Sequence, residues 1–193
     1  MPDSDWWQAL WPNPRDVILA LGVEAHRDTV DLCCGDGLFT APLAAVSRWV
    51  FAIDIDERML EQAKKQVAGA GATNCEFLRA DAYEVARIVP RPVDFVLMAN
   101  TFHGVPDKAR LARAIAAILR PGGHVAIINW HRRSREETVV LGQPRGPRTE
   151  MRMSPEAVQG FLEPADLRHT RTVELPPYHY GSIFERPQAP CLT

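Results

Sequence analysis

The sequence predicts an α/β fold, with a doubly wound, mostly parallel sheet, helices on both of its faces and an antiparallel hairpin at its C-terminal edge. Two observations predict it. Apolar runs of strand length alternate with segments in which apolar residues return every three or four positions, which is typical of βα units. Several of the runs lack polar alternation, as expected of strands covered on both faces. The chain has 193 residues, and we expect a single domain over residues 1–193.

The first element is a helix within an N-terminal segment, residues 1–27. Asn13 stands at an N-cap position, Pro14 at the first helical position, and an apolar stripe follows from Val17 to Leu21. We expect this helix to pack on the sheet.

Three tryptophans precede that helix: Trp6, Trp7 and Trp11. They could form an aromatic lid over a pocket, pack onto the domain or contact a second subunit.

Five apolar runs are predicted as strands, and three segments between them as helices. The strands cover residues 29–34, 48–54, 75–80, 93–99 and 124–130, and the helices cover 38–46, 57–71 and 108–120. Asp56 and Asp107 occupy N-cap positions. The sequence from Arg120 to Gly123 predicts the end of the third helix and a turn into the fifth strand.

The alternating pattern stops after the fifth strand. Residues 131–153 are polar and contain proline and glycine, so we interpret them as an insertion at the top of the sheet, near the site. A capped helix is predicted next, at 154–165. Two strand-like runs, 167–175 and 178–186, then predict the edge hairpin, placed within residues 165–186.

Composition and charge narrow the function classes. The net charge is −2 and the pI is about 6.3. The protein therefore has no overall positive charge that would attract nucleic acid or an acidic membrane. The first residues lack a cationic start followed by an apolar run, and no apolar stretch is long enough to span a bilayer. We expect a cytoplasmic protein with no membrane span and no nucleic-acid partner, while a homodimer stays open.

The cysteine and histidine spacings predict no metal site. Two of the four cysteines are adjacent, Cys33 and Cys34, and stand in an apolar segment, which indicates buried thiols in a reducing compartment. The chain has no CxxC, HxH or HExxH spacing that would bring metal ligands together.

Two glycines follow the first strand, where an open parallel sheet binds its ligands. Gly35 and Gly37 tolerate positive φ and let a ligand approach the main chain. Their spacing differs from the GxGxxG fingerprint of nicotinamide-binding folds. Asp31 and Cys33 precede them at alternate positions, and this acidic turn suggests a ligand with an ammonium or sulfonium group rather than a diphosphate.

Further acids end the second and third strands. Asp54 stands nineteen positions beyond Gly35, where a carboxylate can accept both hydroxyls of a ribose. Asp81 could accept a hydrogen bond from an exocyclic amine. With Asp31, the three acids match an amino acid, a ribose and an adenine in order. The alternative is that such acids only cap turns and helices, which we favour for Asp56.

Taken jointly and in order, these motifs resemble the class I S-adenosylmethionine-dependent methyltransferases. The similarity is to the small-molecule branch that includes the ubiquinone and menaquinone biosynthesis methyltransferases. It covers about residues 14 to 130, through VDLCCGDGLFT, AIDIDERMLEQA, RADAYEV, VDFVLMANTFHGVPD and LRPGG. The resemblance implies a Rossmann-like fold, S-adenosylmethionine as cofactor, S-adenosylhomocysteine as product and a small organic acceptor.

The resemblance also implies a set of cofactor-binding residues. The methionine part would lie against the turn, the ribose on the second strand, the adenine at the third strand and the sulfonium end beside the fourth. The residues concerned are Asp31, Cys33, Gly35, Gly37, Asp54, Ile55, Asp81, Ala82 and Asn100. One departure is Cys33, where such families usually have glycine.

Methyl transfer from a sulfonium is an in-line displacement, so alignment in a dry pocket supplies much of the rate. A general base matters when the acceptor must lose a proton, and histidine titrates in the right range. His103, His131 and His179 are the candidates. Each could instead line the pocket or pack without acid–base work.

The insertion is rich in arginine. A bidentate guanidinium would suit an acidic acceptor, whereas a solvated loop with internal ion pairs is the alternative. The residues are Arg132, Arg133, Arg135, Arg145, Arg148 and Arg152.

Two other function classes stay open on sequence alone. The chain could be a catalytically silent subunit that binds S-adenosylmethionine or activates a partner, because a fold does not guarantee turnover. An RNA or protein methyltransferase is less favoured, since the chain has neither an appended recognition domain nor a global basic charge.

Overall fold

A seven-stranded sheet organises the chain, which a computed structural model describes over residues 4–188. The strands are β1 (Asp28–Leu32), β2 (Trp49–Asp54), β3 (Cys75–Arg79), β4 (Val93–Ala99), β5 (Leu119–Trp130), β8 (Arg168–Leu175) and β9 (His179–Glu185), and their order is β3-β2-β1-β4-β5-β9-β8. The first five pair in parallel, and β9 pairs antiparallel with β5 and β8. A further small hairpin joins β6 (Val139–Val140) to β7 (Gln143–Pro144) within the insertion. The predicted mixed sheet with an antiparallel edge hairpin is confirmed.

Helices cover both faces of this sheet. They are α1 (Ser4–Leu10), α2 (Pro14–Ala20), α3 (Thr40–Val46), α4 (Glu57–Gly69), α5 (Val85–Ile88), α6 (Lys108–Ile118) and α7 (Pro155–Leu162). One apolar core lies between the sheet and α5, α6 and α7, and the other lies between the sheet and α1 to α4. No helix of residues 4–188 combines the length and apolar character that crossing a bilayer requires.

The strand order reverses around β1, which lies between β2 and β4. Connections on its two sides leave toward opposite faces, so a crevice opens at the carboxyl ends of these strands. The turn after β1 lies at that crevice, which places the predicted binding residues at one edge of the sheet.

The predicted boundary between α6 and β5 is wrong. The helix ends at Ile118, and β5 begins at Leu119 instead of residue 124. Gly122 has the left-handed φ of +79° that turn chemistry favours. The backbone still pairs there, because the Gly122 N–H donates to the Arg186 carbonyl at 2.7 Å and the Arg186 N–H donates to the Gly123 carbonyl at 2.8 Å.

Three of the four predicted helix caps are confirmed, including that of the helix predicted at 154–165, where Ser154 accepts from the Ala157 N–H at 3.3 Å. Asp56 accepts from the Arg58 N–H, and Asp107 accepts from the Arg110 N–H, each at 2.9 Å. Asn13 occupies the N-cap position of α2 but makes no side-chain cap bond. Its amide donates to Asp16 at 2.6 Å instead.

Candidate active site

A cleft of about 620 Å³ opens at the carboxyl ends of β1 to β4. A smaller cavity of about 180 Å³ adjoins it beside the turn after β1 and extends to Trp7 of α1. The two share Cys33, Asn100 and Thr101. Together they form a bent binding space that follows the crevice where the strand order reverses.

The two glycines of the turn serve different purposes. Gly35 has a φ of +56° and lines the cleft, where the absent side chain leaves the main chain accessible. Gly37 has a φ of +93°, and a Cβ there would lie 2.7 Å from Cα of Ala63 in α4. Close packing between the turn and α4 therefore explains Gly37, and it lines neither cavity.

Cys33 has a left-handed backbone conformation, which glycine adopts more readily than cysteine. Its φ is +61°, and it lines both cavities. Burial raises the pKa of its thiol to about 12, with help from the nearby Asp54 and Asp31. The thiol is therefore protonated at neutral pH and offers the cleft a small apolar surface rather than a nucleophile.

Asp54 is held by the backbone in a fixed orientation at the end of β2. One carboxylate oxygen accepts from the Gly35 N–H and the other from the Asp56 N–H, both at 2.9 Å. Each oxygen retains acceptor capacity for a second donor. Since Asp54 lines the cleft, it presents two adjacent anionic oxygens, which suit a vicinal diol.

Asp81 follows β3 and caps the short helical turn that comes next. One of its oxygens accepts from the Tyr83 N–H at 2.9 Å. Ile55, whose surface is 64% exposed, lines this part of the cleft together with Tyr83 and Ala82. Apolar surface beside a carboxylate suits a planar ring with an exocyclic amine.

Tyr83 is a lining residue that the sequence analysis missed. Its hydroxyl accepts from the Asp107 N–H at 2.8 Å, and the Arg110 guanidinium lies 4.5 Å from its ring centroid. The sequence offered one signal for it, since Tyr83 stands only two residues after the predicted binding residue Asp81. Met59, Thr101, Val105 and Asp36 also line the two cavities without having been predicted.

Asp31 is a buried carboxyl group beside the smaller cavity. Burial raises its pKa to about 7, although the Thr40 hydroxyl, which donates to it at 2.6 Å, lowers it. A cation bound nearby would favour the ionised form. The environment of Asp31 therefore suits an ammonium group, and Asp36 adds a second acid to the same cavity.

The cleft contains an unpaired acceptor where its two parts meet. Asn100 follows β4 with a φ of +58°, and its Oδ1 atom is buried without a hydrogen-bond partner in the described part of the chain. Buried polar atoms are normally paired. These features together fit S-adenosylmethionine. They are the two carboxylate oxygens that can accept from a diol, the apolar surface for a planar ring, the acidic cavity and the unpaired amide oxygen.

Of the three candidate histidines, only His103 lines the cleft. It lies on the short helical turn after β4, and its Nδ1 atom is buried and unpaired within residues 4–188. Burial lowers its pKa; Asn129 opposes this shift, whereas Lys108 and Arg152 add to it. The imidazole is therefore neutral near pH 7 and able to accept a proton.

The other two histidines lie away from the cavities. His131 places Nε2 2.9 Å from a carboxylate oxygen of Glu174 across the edge hairpin. His179 is buried, with its ring centroid 4.6 Å from that of Trp11 and 4.1 Å from that of Trp130. Burial holds its pKa well below the ordinary value, so it is a neutral packing residue.

Of the three N-terminal tryptophans, two pack onto the domain and the third also reaches the binding space. Trp6 and Trp11 are buried in the core on the α1 to α4 face. Trp7 stacks on Trp6 at a centroid distance of 4.2 Å and lines the smaller cavity. Packing on the domain thus holds α1 in place, and one of the three indoles reaches the binding space.

Known proteins share the sequence and the fold. Residues 29–123 match a family profile described as a methyltransferase domain. The chain is 31% identical over 184 residues to the ubiquinone biosynthesis O-methyltransferase of Ralstonia nicotianae, with 86% of this chain and 76% of that protein covered. The corresponding protein of Leptothrix cholodnii is 26% identical, with 77% and 68% covered.

A solved structure supports the same assignment. The crystal structure of a SAM-dependent methyltransferase from Aquifex aeolicus superposes with a TM-score of 0.77 and 26% identity, and covers 94% of this chain and 93% of that one. The chain therefore belongs to the class I S-adenosylmethionine-dependent methyltransferases, enzymes of Rossmann-like fold that take S-adenosylmethionine as cofactor.

Proposed function

We propose that the protein transfers a methyl group to a hydroxyl oxygen of a small organic acceptor, with His103 as general base. The observation that carries this proposal is a neutral histidine at the cleft, with one ring nitrogen buried and unpaired. A hydroxyl acceptor must lose a proton during transfer, and a neutral imidazole beside it can take that proton. The names of the relatives, which are O-methyltransferases, support oxygen as the acceptor atom.

The cofactor has a natural orientation in the two cavities. Asp54 accepts hydrogen bonds from the ribose hydroxyls, and Asp81 accepts one from the adenine amine beside Ala82 and Ile55. The methionine ammonium lies in the smaller cavity near Asp31. This orientation is supported by the fixed oxygens of Asp54, the apolar surface around Asp81 and the burial of Asp31.

The reacting end of the cofactor lies at the junction of the cavities in this proposal, which three further residues support. Gly35 leaves room for the chain of the methionine, Cys33 contributes apolar surface, and the unpaired Asn100 oxygen accepts from the ammonium. Gly37 supports the turn through its contact with α4 rather than through the ligand.

When bound, S-adenosylmethionine supplies a methyl group on a positively charged sulfur. The chain aligns the acceptor oxygen with that methyl group and excludes water, which is the main contribution available to an in-line displacement. Trp7 of α1 lines the smaller cavity. His103 accepts the acceptor's proton at its unprotonated ring nitrogen.

The test is formation of S-adenosylhomocysteine from a panel of phenols and catechols, each paired with its methyl ether. Wild-type protein should methylate the free hydroxyls only. His103→Gln should lower kcat by a factor of about 10² to 10⁴, the usual contribution of a general base. It should also abolish the rise of kcat with pH that titration of the imidazole produces.

The matched control is His131→Gln, since His131 lies outside both cavities. It should keep the wild-type rate and pH profile. A His103→Gln enzyme with unchanged kcat and an unchanged pH profile would exclude His103 as the base. The corresponding anilines are assayed beside the phenols, and methyl transfer to these amines alone would exclude a hydroxyl acceptor.

A further inference from the structure

A further cavity, of about 550 Å³, lies at the amino ends of the strands, away from the candidate active site. Phe95, near the start of β4, lines it, whereas Asn100, after the end of the same strand, lines the cleft. Five residues of extended chain between them correspond to about 17 Å. The volume is within the range of about 300–1,000 Å³ that is usual for small-molecule sites. This amino-edge cavity is therefore a separate candidate binding site.

Irregular pairing in β8 builds one wall of the amino-edge cavity. His169 pairs with Phe184 and Arg171 pairs with Ile183, so β8 has an extra residue, Thr170, at this point. Successive side chains of a regular strand point to opposite faces, but Thr170 and Arg171 both line the cavity. Bulges of this kind re-aim side chains and are frequent at sheet edges and beside active sites.

A second wall comes from β5. Val93 pairs with Leu119 and Phe95 pairs with His124, so the residues from Arg120 to Gly123 loop out of the regular pairing. These residues line the cavity, and His124 lines it beside them. The His124 imidazole makes no side-chain hydrogen bond within residues 4–188, and it has an N–H to donate in either tautomer.

Arg171 offers the amino-edge cavity a guanidinium group without a counterion. Its Nη2 atom donates to the Ala20 carbonyl, at the end of α2, at 3.1 Å. Gly22 makes room for this contact, because a Cβ there would lie 2.7 Å from Nη2. No carboxylate of the described residues forms an ion pair with Arg171, and its Nε and Nη1 groups have no acceptor among them. Both groups can therefore donate to a ligand.

The lining of the amino-edge cavity carries an excess of positive charge. Among the described residues it contains the arginines Arg27, Arg120 and Arg171 but only two carboxylates, Glu24 and Asp94. Glu24 pairs with Arg27 at 2.7 Å, and Asp94 pairs with Arg120 at 2.6 Å. The two acids are thus neutralised, and the charge of Arg171 is left over. Since the whole chain has a net charge of −2, this local excess indicates an anionic ligand.

We propose that the amino-edge cavity binds a small organic phosphate ester, with Arg171 holding the phosphate group. This inference goes beyond the proposed function and does not depend on it. A phosphate ester has a charge of about −1.5 to −2 at pH 7 and three strong acceptor oxygens, which guanidinium groups bind through charge-assisted hydrogen bonds. Arg120 and His124 add donors from a second strand, and donors from separate strands suit a tetrahedral phosphate better than a planar carboxylate.

The rest of the lining suits the carbon body of such a molecule. Leu21, Phe95 and Ile183 present apolar side chains to the cavity, as is usual for small-molecule sites. A phosphorylated sugar or nucleoside should therefore bind more tightly than free phosphate.

The experiment is calorimetric titration of the full chain saturated with S-adenosylhomocysteine. The probes are glucose 6-phosphate and uridine 5′-monophosphate, each compared with glucose or uridine, and inorganic phosphate and succinate are titrated alone. At least one ester should bind at one site per chain, about tenfold or more tightly than its neutral counterpart. It should also bind more tightly than inorganic phosphate or succinate.

Three results would overturn the proposal. The first is no saturable heat from either ester, or equal affinity within both pairs. The second is binding of inorganic phosphate or succinate as tight as that of the esters. The third is an apparent Kd of S-adenosylhomocysteine that rises in proportion to the ester concentration, because the ester would then occupy the cleft.

Variants locate the bound phosphate. Arg171→Met keeps the apolar stem and removes the charge, so it should reduce the preference for the ester to less than about threefold. Arg168→Met is the matched control, since Arg168 belongs to the same strand but pairs with Glu185 at 2.7 Å and lies outside the cavity. It should keep the preference. Retention of the full preference in Arg171→Met would contradict the assignment.

Folding and cofactor binding are measured separately from this preference. Thermal unfolding and the affinity for S-adenosylhomocysteine are determined for each variant, and both should match the wild-type values because Arg171 is exposed and lies outside the cleft. Arg171→Gln, which also removes the charge, gives the same test if Arg171→Met does not fold. Failure of this inference would leave the proposed function intact, since no probe is a methyl acceptor in that proposal.

Discussion

Substitution of Asp54 by asparagine tests the ribose assignment at a single atom. Each carboxylate oxygen already accepts one backbone N–H at 2.9 Å, from Gly35 or Asp56, and has capacity for one ribose hydroxyl. Asparagine keeps the shape but offers one oxygen, and its amide faces one of those N–H groups. A hydrogen bond to a charged acceptor contributes about 1.5–3 kcal/mol. We expect the binding free energy of adenosine to weaken by about 2 kcal/mol, which raises its Kd about 30-fold.

The assay compares adenosine with 2′,3′-dideoxyadenosine by calorimetry on both proteins. Wild type should bind adenosine about 30-fold more tightly, and the variant should discriminate by less than about threefold, because the coupling between hydroxyls and carboxylate is removed. Asp107→Asn is the control, since Asp107 also accepts a backbone N–H at 2.9 Å but lies outside the cleft. An Asp54→Asn protein with wild-type discrimination would refute the reasoning.

Further predictions concern the turn and its surroundings. Gly37→Ala should lower the free energy of unfolding by about 3 kcal/mol, because the new Cβ would lie 2.7 Å from Ala63. The control Gly69→Ala should not destabilise the protein, since nothing lies within 4 Å of a Cβ there. Equal denaturant midpoints for the two variants would contradict this prediction. Asp31 has a folded pKa of about 7, above its ordinary 3.8, so its own contribution to the free energy of unfolding is greatest below about pH 4 and falls by up to about 4 kcal/mol as the pH rises to 7. Denaturation at both pH values should show that Asp31→Asn removes this loss, and an identical slope in the variant would disprove it. The Cys33 thiol, with a pKa of about 12, should react with iodoacetamide at pH 8 about 1,000-fold more slowly in the folded than in the unfolded chain; peptide mass mapping would detect the contrary result, rapid labelling of folded protein.

The five parallel strands could be predicted because burial on both faces gives each of them a local apolar signature. The predicted strand 93–99 coincides with β4, Val93–Ala99. The start of β5 could not be predicted from its Pro-Gly-Gly sequence, since pairing with the distant Arg186 extends the strand through the turn. The hairpin within the insertion was missed for a related reason: its strands are two residues long and have no period to detect.

The candidate site follows the same division. Asp54 and Asp81 could be found from their positions at the ends of strands, because the carboxyl ends of parallel strands share one edge of the sheet. The packing reason for Gly37 depends on Ala63, in a separate helix. His179 stands between two tyrosines in the sequence, a pattern that also occurs in the lining of pockets. Its contacts with Trp11 and Trp130 show that it is a core residue. Such contacts join distant segments and leave no local pattern.

The most direct measurement is calorimetric titration of the wild-type protein with S-adenosylhomocysteine and, separately, with NADH. S-adenosylhomocysteine, a neutral adenosyl thioether, should bind at one site per chain, in competition with adenosine, and NADH should give no saturable heat. Saturable binding of NADH together with no heat from S-adenosylhomocysteine would contradict the assignment of the cleft.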